Sequence, residues 1–206
     1  AAHGAEAPHE EPLAQEGPPG APESATAGLF AFLRAKGDGS LVVAWRRYFD
    51  MGSRDLNFAE FSDALASAGF PGGAAPVWVE LVGTAAVQLL PWQRLAGERG
   101  VQLVESFGGW CKGACGGLLE AFDLLGPGGA APLTSERLVG GLRALGLFAA
   151  PGLPGEFASE AAFRRDVLPL IDPWRTESIL PEAFLVFERD ARKRQKLRRK
   201  VEHARE

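Results

Sequence analysis

Within YFDMGSRDLNFAEF, residues 48–61, the oxygen-bearing side chains of Asp50, Ser53 and Glu60 fall at short intervals ahead of an apolar run. A hard divalent cation needs such a supply, six to eight oxygens at about 2.3–2.6 Å. The same stretch also has a plainer chemistry. Asn57-x-x-Glu60 spells a capping box, in which the two side chains satisfy the first backbone N–H groups of a helix. Glu60 can serve the cap or a cation, and the register of the loop decides which.

Elsewhere the chain offers little for catalysis. Its histidines, His3, His9 and His203, all lie in the tails. The body therefore has no histidine base and no histidine-assisted nucleophile. GPGGAAP (126–132) lacks the Lys-Ser/Thr or the preceding strand of a phosphate-cradling loop. No enzymatic activity is expected. Cys111 and Cys115 sit four apart in WCKGAC, on one helix face. Two cysteines cannot form a disulfide framework or a four-ligand zinc site. They are expected to be small buried side chains, with a thiol pair as the alternative. The five tryptophans, Trp45, Trp78, Trp92, Trp110 and Trp174, are expected in the core, the alternative being anchors for a partner helix.

The elements that must position these residues are helices. Leu41, Trp45 and Phe49 lie four apart in SLVVAWRRYF, and Phe58, Phe61 and Leu65 precede a Gly69 stop. Leu138, Leu142 and Leu145 precede Gly146 in the same way. Alternating, strand-like runs are missing, so the expected class is all-α. With 206 residues, 46% of them hydrophobic, the chain can bury a substantial core. No run of 18 apolar residues occurs, so no transmembrane segment is expected. The chain begins with Ala and carries no basic-then-apolar leader, the pattern expected of a processed or trimmed product.

The net charge of −4 conceals two tails of opposite sign. Residues 1–27 carry five Glu and no Lys or Arg, and are rich in Ala, Pro and Gly, so disorder is expected there. Residues 187–206 carry nine Lys and Arg against four acids.

Internal repetition organises the body. RRYFD…LNFAEFSDALASAGF and LEAFD…LTSERLVGGLRALGLF share one plan, a helix ending in Phe-Asp, a polar loop, a Leu and a second helix. LVGTAAVQLLPWQRL (81–95) and IDPWRTESILPEAFL (171–185) form another pair, aligned through Leu89-Leu90-Pro91 and Ile179-Leu180-Pro181. In both, the proline is expected in the first turn of a helix.

Four helix–loop–helix units in two pairs, with FD opening a loop and L-x-x-x-EF closing it at 56–61, resemble the EF-hand superfamily, calmodulin and its relatives in particular. The resemblance covers roughly residues 40–187. It implies twelve-position loops with side-chain oxygens at 1, 3 and 5 and a bidentate Glu at 12. It also implies an apolar position 8 that makes a short β contact with the paired loop. Position 8 is then Leu56, Leu89, Leu133 and Ile179, and position 12 is Glu60, Gln93, Arg137 and Ala183. The oxygen positions read Phe49, Met51 and Ser53 in the first loop, Val82, Thr84 and Ala86 in the second, and Gly126, Gly128 and Ala130 in the third. An arginine at 137 would put a cation where the dication belongs. Glu136 could enter the third loop only through an unusual register. The fourth loop offers Asp172 and Thr176, the best remaining metal candidates. Apolar contacts survive while ligand sets do not, so no metal site and no cofactor are expected, calcium being the one alternative.

The expected organisation is a disordered tail (1–27), a first EF-hand-like pair (28–100), a second (101–186) and a basic helical tail (187–206). The expected role is that of an adaptor or structural subunit that binds a protein partner, within a larger assembly or on its own. Arg192, Lys193, Arg194, Lys196, Arg198, Arg199 and Lys200 of the basic tail are the candidate partner-binding residues. Two alternatives stay open: a calcium sensor using one non-standard loop, and a tether of the basic tail to nucleic acid or a membrane surface. The tail lacks the aromatic residues that nucleic-acid binders add.

Overall fold

The computed structural model describes residues 24–50, 55–83, 89–126 and 131–203, and is all-helical over them. The helices are α1 (Ala25–Lys36), α2 (Leu41–Tyr48), α3 (Phe58–Ala68), α4 (Ala74–Val82), α5 (Trp92–Cys115), α6 (Leu118–Leu125), α7 (Ser135–Ala144), α8 (Glu160–Asp166), α9 (Leu168–Ile171), α10 (Pro181–Phe184) and α11 (Ala191–His203). Extended pairing among the described residues is confined to two isolated antiparallel bridges, Leu56 with Leu90 and Leu133 with Ile179.

Local chemistry sets the helix starts. Ser24, Ser40, Asn57, Thr134 and Ser159 each accept a hydrogen bond from the backbone N–H three residues on, satisfying a donor that the first turn leaves unpaired. At α3 both halves of the capping box form: Glu60 N–H donates to Asn57 Oδ1 and Asn57 N–H donates to Glu60 Oε2, each at 2.9 Å. The Glu60 carboxylate is the cap. Ser24 caps α1 three residues before the expected end of the disordered segment; residues 1–23, with His3 and His9, lie outside the described residues.

A single continuous core runs from Leu29 to Phe187. Its first half centres on Trp45 against Trp92 (4.9 Å between ring centroids) and Phe49 against Phe61 (6.0 Å). Its second half gathers around Phe107, whose ring meets Phe157, Phe163, Phe184 and Phe187, the last at 4.5 Å. Helix α5 carries both, because it leaves the second loop and then runs on into the second half. Gly97 (φ 71°, ψ 164°) kinks it, a backbone geometry closed to other residues at low cost. Gly100 lets it press on α2, where an added Cβ would meet Val42 Cβ at 2.5 Å. The expected division at residues 100 and 101 thus falls inside one helix, and the two pairs share a core.

Further contacts tie α2 to the second half: Arg46 Nε donates to the carbonyl of Leu170 (3.1 Å) and Arg47 Nε to that of Pro173 (2.8 Å). Trp45 and Trp92 are buried, Trp78 and Trp110 half-buried, and Trp174 is 59% exposed, with its ring edge-on to Tyr48 and beneath Arg47. Cys111 is buried and Cys115 half-buried, and both are free. Burial pushes the Cys111 thiol far above its ordinary range, which removes its nucleophilic form. No helix among the described residues is long and apolar enough to cross a membrane.

Candidate functional site: the four loop closures

The two bridges join loops in pairs. Leu56 and Leu90 exchange N–H···O bonds of 3.0 and 2.7 Å, and Leu133 and Ile179 exchange two of 2.8 Å. All four side chains are buried to 1% exposure or less. Three of these residues are the expected ones. In the second loop the bridge is made by Leu90, while Leu89 is 48% exposed. The cause lies at the helix starts. Each bridging residue directly precedes its helix's N-cap: Asn57, Pro91, Thr134 and Leu180. Pro91 is the cap itself, with extended backbone (φ −62°, ψ 132°), whereas Pro181 is the first helical residue. Aligning the two prolines therefore misplaces the second loop by one residue.

The corrected register changes the closing position, four residues after the bridge. It is Glu60, Arg94, Arg137 and Ala183, so Gln93 is replaced by a second arginine. Both arginines reach back across their loops. Arg94 Nη1 donates to the carbonyl of Leu81 near the end of α4, and Arg137 Nε donates to that of Leu125 at the end of α6 (3.3 Å). Each guanidinium thus joins the helix leaving a loop to the helix entering it, at the carbonyl-rich end where a cation is favoured. Glu136 turns away, paired with Arg164 at 2.8 Å.

At the first loop, Asp50 is fully enclosed, its side chain 0% exposed. Its Oδ2 accepts from Arg46 Nη1 (2.7 Å), one turn back on α2, and its Oδ1 from Arg194 Nη2 on α11 (2.6 Å). Two guanidiniums therefore share one carboxylate. Burial lowers the pKa of Arg46, Asp50 opposes that shift, and the nearby charges of Arg194 and Arg198 add to it. Arg194 Nε and Nη1 are buried without a hydrogen-bond partner among the described residues.

The fourth loop is described in full. Asp172 (6% exposed) accepts on Oδ1 from Thr176 N–H (2.9 Å) and Thr176 Oγ1 (3.0 Å), and on Oδ2 from Glu177 N–H (2.9 Å). Arg175 and Glu177 hold positive φ, 54° and 56°, so the carboxylate holds together a turn that twice enters the left-handed region without glycine. Glu177 Oε2 accepts from Ser135 N–H at the start of α7 (3.2 Å), linking the paired loops. Asp172 and Thr176 do come together, but through a bond to each other. Expected ligand positions at Met51 and Ser53, Thr84 and Ala86, and Gly128 and Ala130 lie outside the described residues. Among the described residues, no three His, Cys, Asp or Glu side chains gather to hold a metal.

The basic tail is helix α11, and it folds back onto the body instead of running clear of it. Lys193 N–H donates to Asp190 Oδ1 (3.0 Å) at its start. Its inner face carries Arg194 (3% exposed), Val201 (5%) and the half-buried Leu197. Arg194 is therefore not on the surface where a docking residue was expected. Arg192, Lys193, Lys196, Arg198, Arg199 and Lys200 are exposed. The roles of Arg46, Arg94 and Arg194 left no mark in the sequence pattern, whereas the cation at 137 did.

A cleft of about 440 Å³ opens between the α1–α2 turn, the kink of α5 and α8. Much of its charge is internally paired. Arg47 and Arg175 share Asp38, and Arg99 and Arg165 share Asp166. No family model, curated protein or solved structure matches the chain.

Proposed function

We propose that the chain is a non-enzymatic, EF-hand-like protein of the calmodulin plan, with degenerate calcium loops, that serves as an adaptor or structural subunit through protein contacts. One observation carries this reading. Loops that pair through buried apolar bridges have guanidiniums where a closing carboxylate would bind the dication, at Arg94 and Arg137. A cation already joined to the entering helix supplies mechanically what the metal would supply, and it repels a second cation. Three loop acids fit the same account, because Asp50 and Asp172 have both carboxylate oxygens taken by donors of the chain and Glu60 has one taken by the N–H of Asn57. A protein whose loops are closed without metal has a constant shape, which suits a scaffold better than a switch. Its contact surface is the exposed basic face of α11.

Calorimetric titration of the full chain with calcium tests the metal-free part. No binding heat at micromolar calcium is expected, together with unchanged tryptophan emission up to millimolar calcium. Trp174 sits inside the fourth loop and would report binding there. A micromolar site, or a calcium-dependent change in Trp174 emission, would replace this reading with that of a sensor using the fourth loop.

A further inference from the structure

We propose that the outward face of α11 is a docking strip for acidic polypeptide, and that its resident occupant is the chain's own acidic segment, residues 1–23. The helix lies on the body by one face, with Arg194, Leu197 and Val201 turned inward. The solvent side presents Arg192, Lys193, Lys196, Arg199 and Lys200, with Arg198 at the edge nearest Arg46, and Asp190 at the helix start and Glu202 are the acids beside them. None of the six cations is in an ion pair among the described residues, although eleven such pairs occur elsewhere. Arg192, Lys196 and Lys200 are spaced four apart, so like charges stack along one ridge and repel. An anionic strand laid on that ridge relieves the repulsion.

The face also narrows the class of partner. Its apolar side chains are spent on the body, so nothing outward can enter a lipid layer. It has no aromatic ring on which a base could stack. What remains is charge alone, which suits a flexible acidic chain. Residues 1–23 contain Glu6, Glu10, Glu11, Glu16 and Glu23 and no Lys or Arg. They join the body at Ser24, and 23 residues can span about 75 Å at full extension. Tethering presents their charges at an effective concentration on the order of millimolar. A protein partner of α11 must then displace this segment, which makes the surface selective for partners more acidic than it. That consequence rests on the role proposed above for α11. The docking itself does not, and it holds whether or not the loops bind calcium.

Zero-length carbodiimide cross-linking of the full chain, mapped by mass spectrometry, tests it. The chain has five lysines, and Lys36 and Lys112 lie off α11 as internal controls. Links from Glu6, Glu10, Glu11 and Glu16 to Lys193, Lys196 and Lys200 are expected in the monomer. They should exceed those to Lys36 and Lys112 several-fold and disappear near 0.5 M salt, where charges are screened within a few ångström. Equal labelling of all five lysines, absence of these links, or links confined to dimers would overturn the proposal. A second measurement uses the full chain with its five tail glutamates changed to Gln. Fluorescently labelled polyglutamate should bind this variant about tenfold more tightly than the parent at 50 mM salt. Equal affinity would overturn the proposal, as would tighter binding of phosphatidylserine vesicles or of polyuridylate than of polyglutamate.

Discussion

The first and fourth loops each begin with a buried aspartate, yet the two are satisfied in opposite ways. Asp172 takes three donors from residues four and five positions further along its own loop. Asp50 takes one guanidinium from the helix just before it and another from Arg194, 144 positions away. The first arrangement organises a turn; the second fastens the C-terminal helix to the N-terminal half. Loss of Asp172 exposes a local fault, whereas loss of Asp50 leaves two buried cations facing each other and loosens a long-range joint.

Substitution at these positions should separate the two cases. Asp50→Ala is expected to have the largest effect, about 3–5 kcal/mol of stability, because an uncompensated buried charge is costly. In a chain of this size that lowers the melting temperature on the order of 10 °C. Arg194→Met should do less than half as much, since Asp50 keeps Arg46 and two unpartnered buried nitrogens are removed. Equal effects of the two substitutions in thermal melts would mean that the joint depends on the pair and not on the excess cation.

Next in size, Asp172→Ala should cost about 1–3 kcal/mol, the price of leaving buried N–H groups without an acceptor. Hydrogen exchange should quicken at residues 176 and 177 and leave α11 protected. Faster exchange in α11 would show that the fourth loop is also a long-range joint. Asn57→Ala removes a cap as local as that of Asp172 and should cost about 1 kcal/mol, read from urea denaturation.

The smallest effect concerns an exposed acid. Contacts with Thr26 and the N–H of Ala25 hold the Glu80 carboxyl down to about 2 from an ordinary 4.5. A depressed folded-state pKa contributes stability above the unfolded value, and that contribution is lost as pH falls from about 4.5 toward 2. Exchange at the start of α1 should quicken over that window in the parent chain. In Glu80→Gln it should already be quick at neutral pH and show no such step.

Legibility followed the range of the interactions. The capping box at Asn57 and Glu60 and the glycine stops at 69 and 146 could be read from spacing, because each depends on neighbours within a turn or two. The bridging positions 56, 133 and 179, with partners 34 and 46 residues away, followed only from the EF-hand resemblance. The bridge at Leu90 was missed because two prolines that look equivalent occupy different places, one capping its helix and the other beginning it. The start of α1 at Ser24 was missed because a single Ser cap inside an Ala- and Pro-rich segment carries little pattern.

By itself, then, the sequence determined the all-α class and most of the helix ends, since helical periodicity and capping act over three or four residues. The tertiary structure decided which charges are buried together. It took Arg194 from the basic face and set it on Asp50, ran α5 through the expected boundary, and placed Arg94 and Arg137 across their loops. Ion pairs and desolvation depend on distance in space, and residues 50 and 194 acquire a separation of 2.6 Å only once both halves have packed on α5.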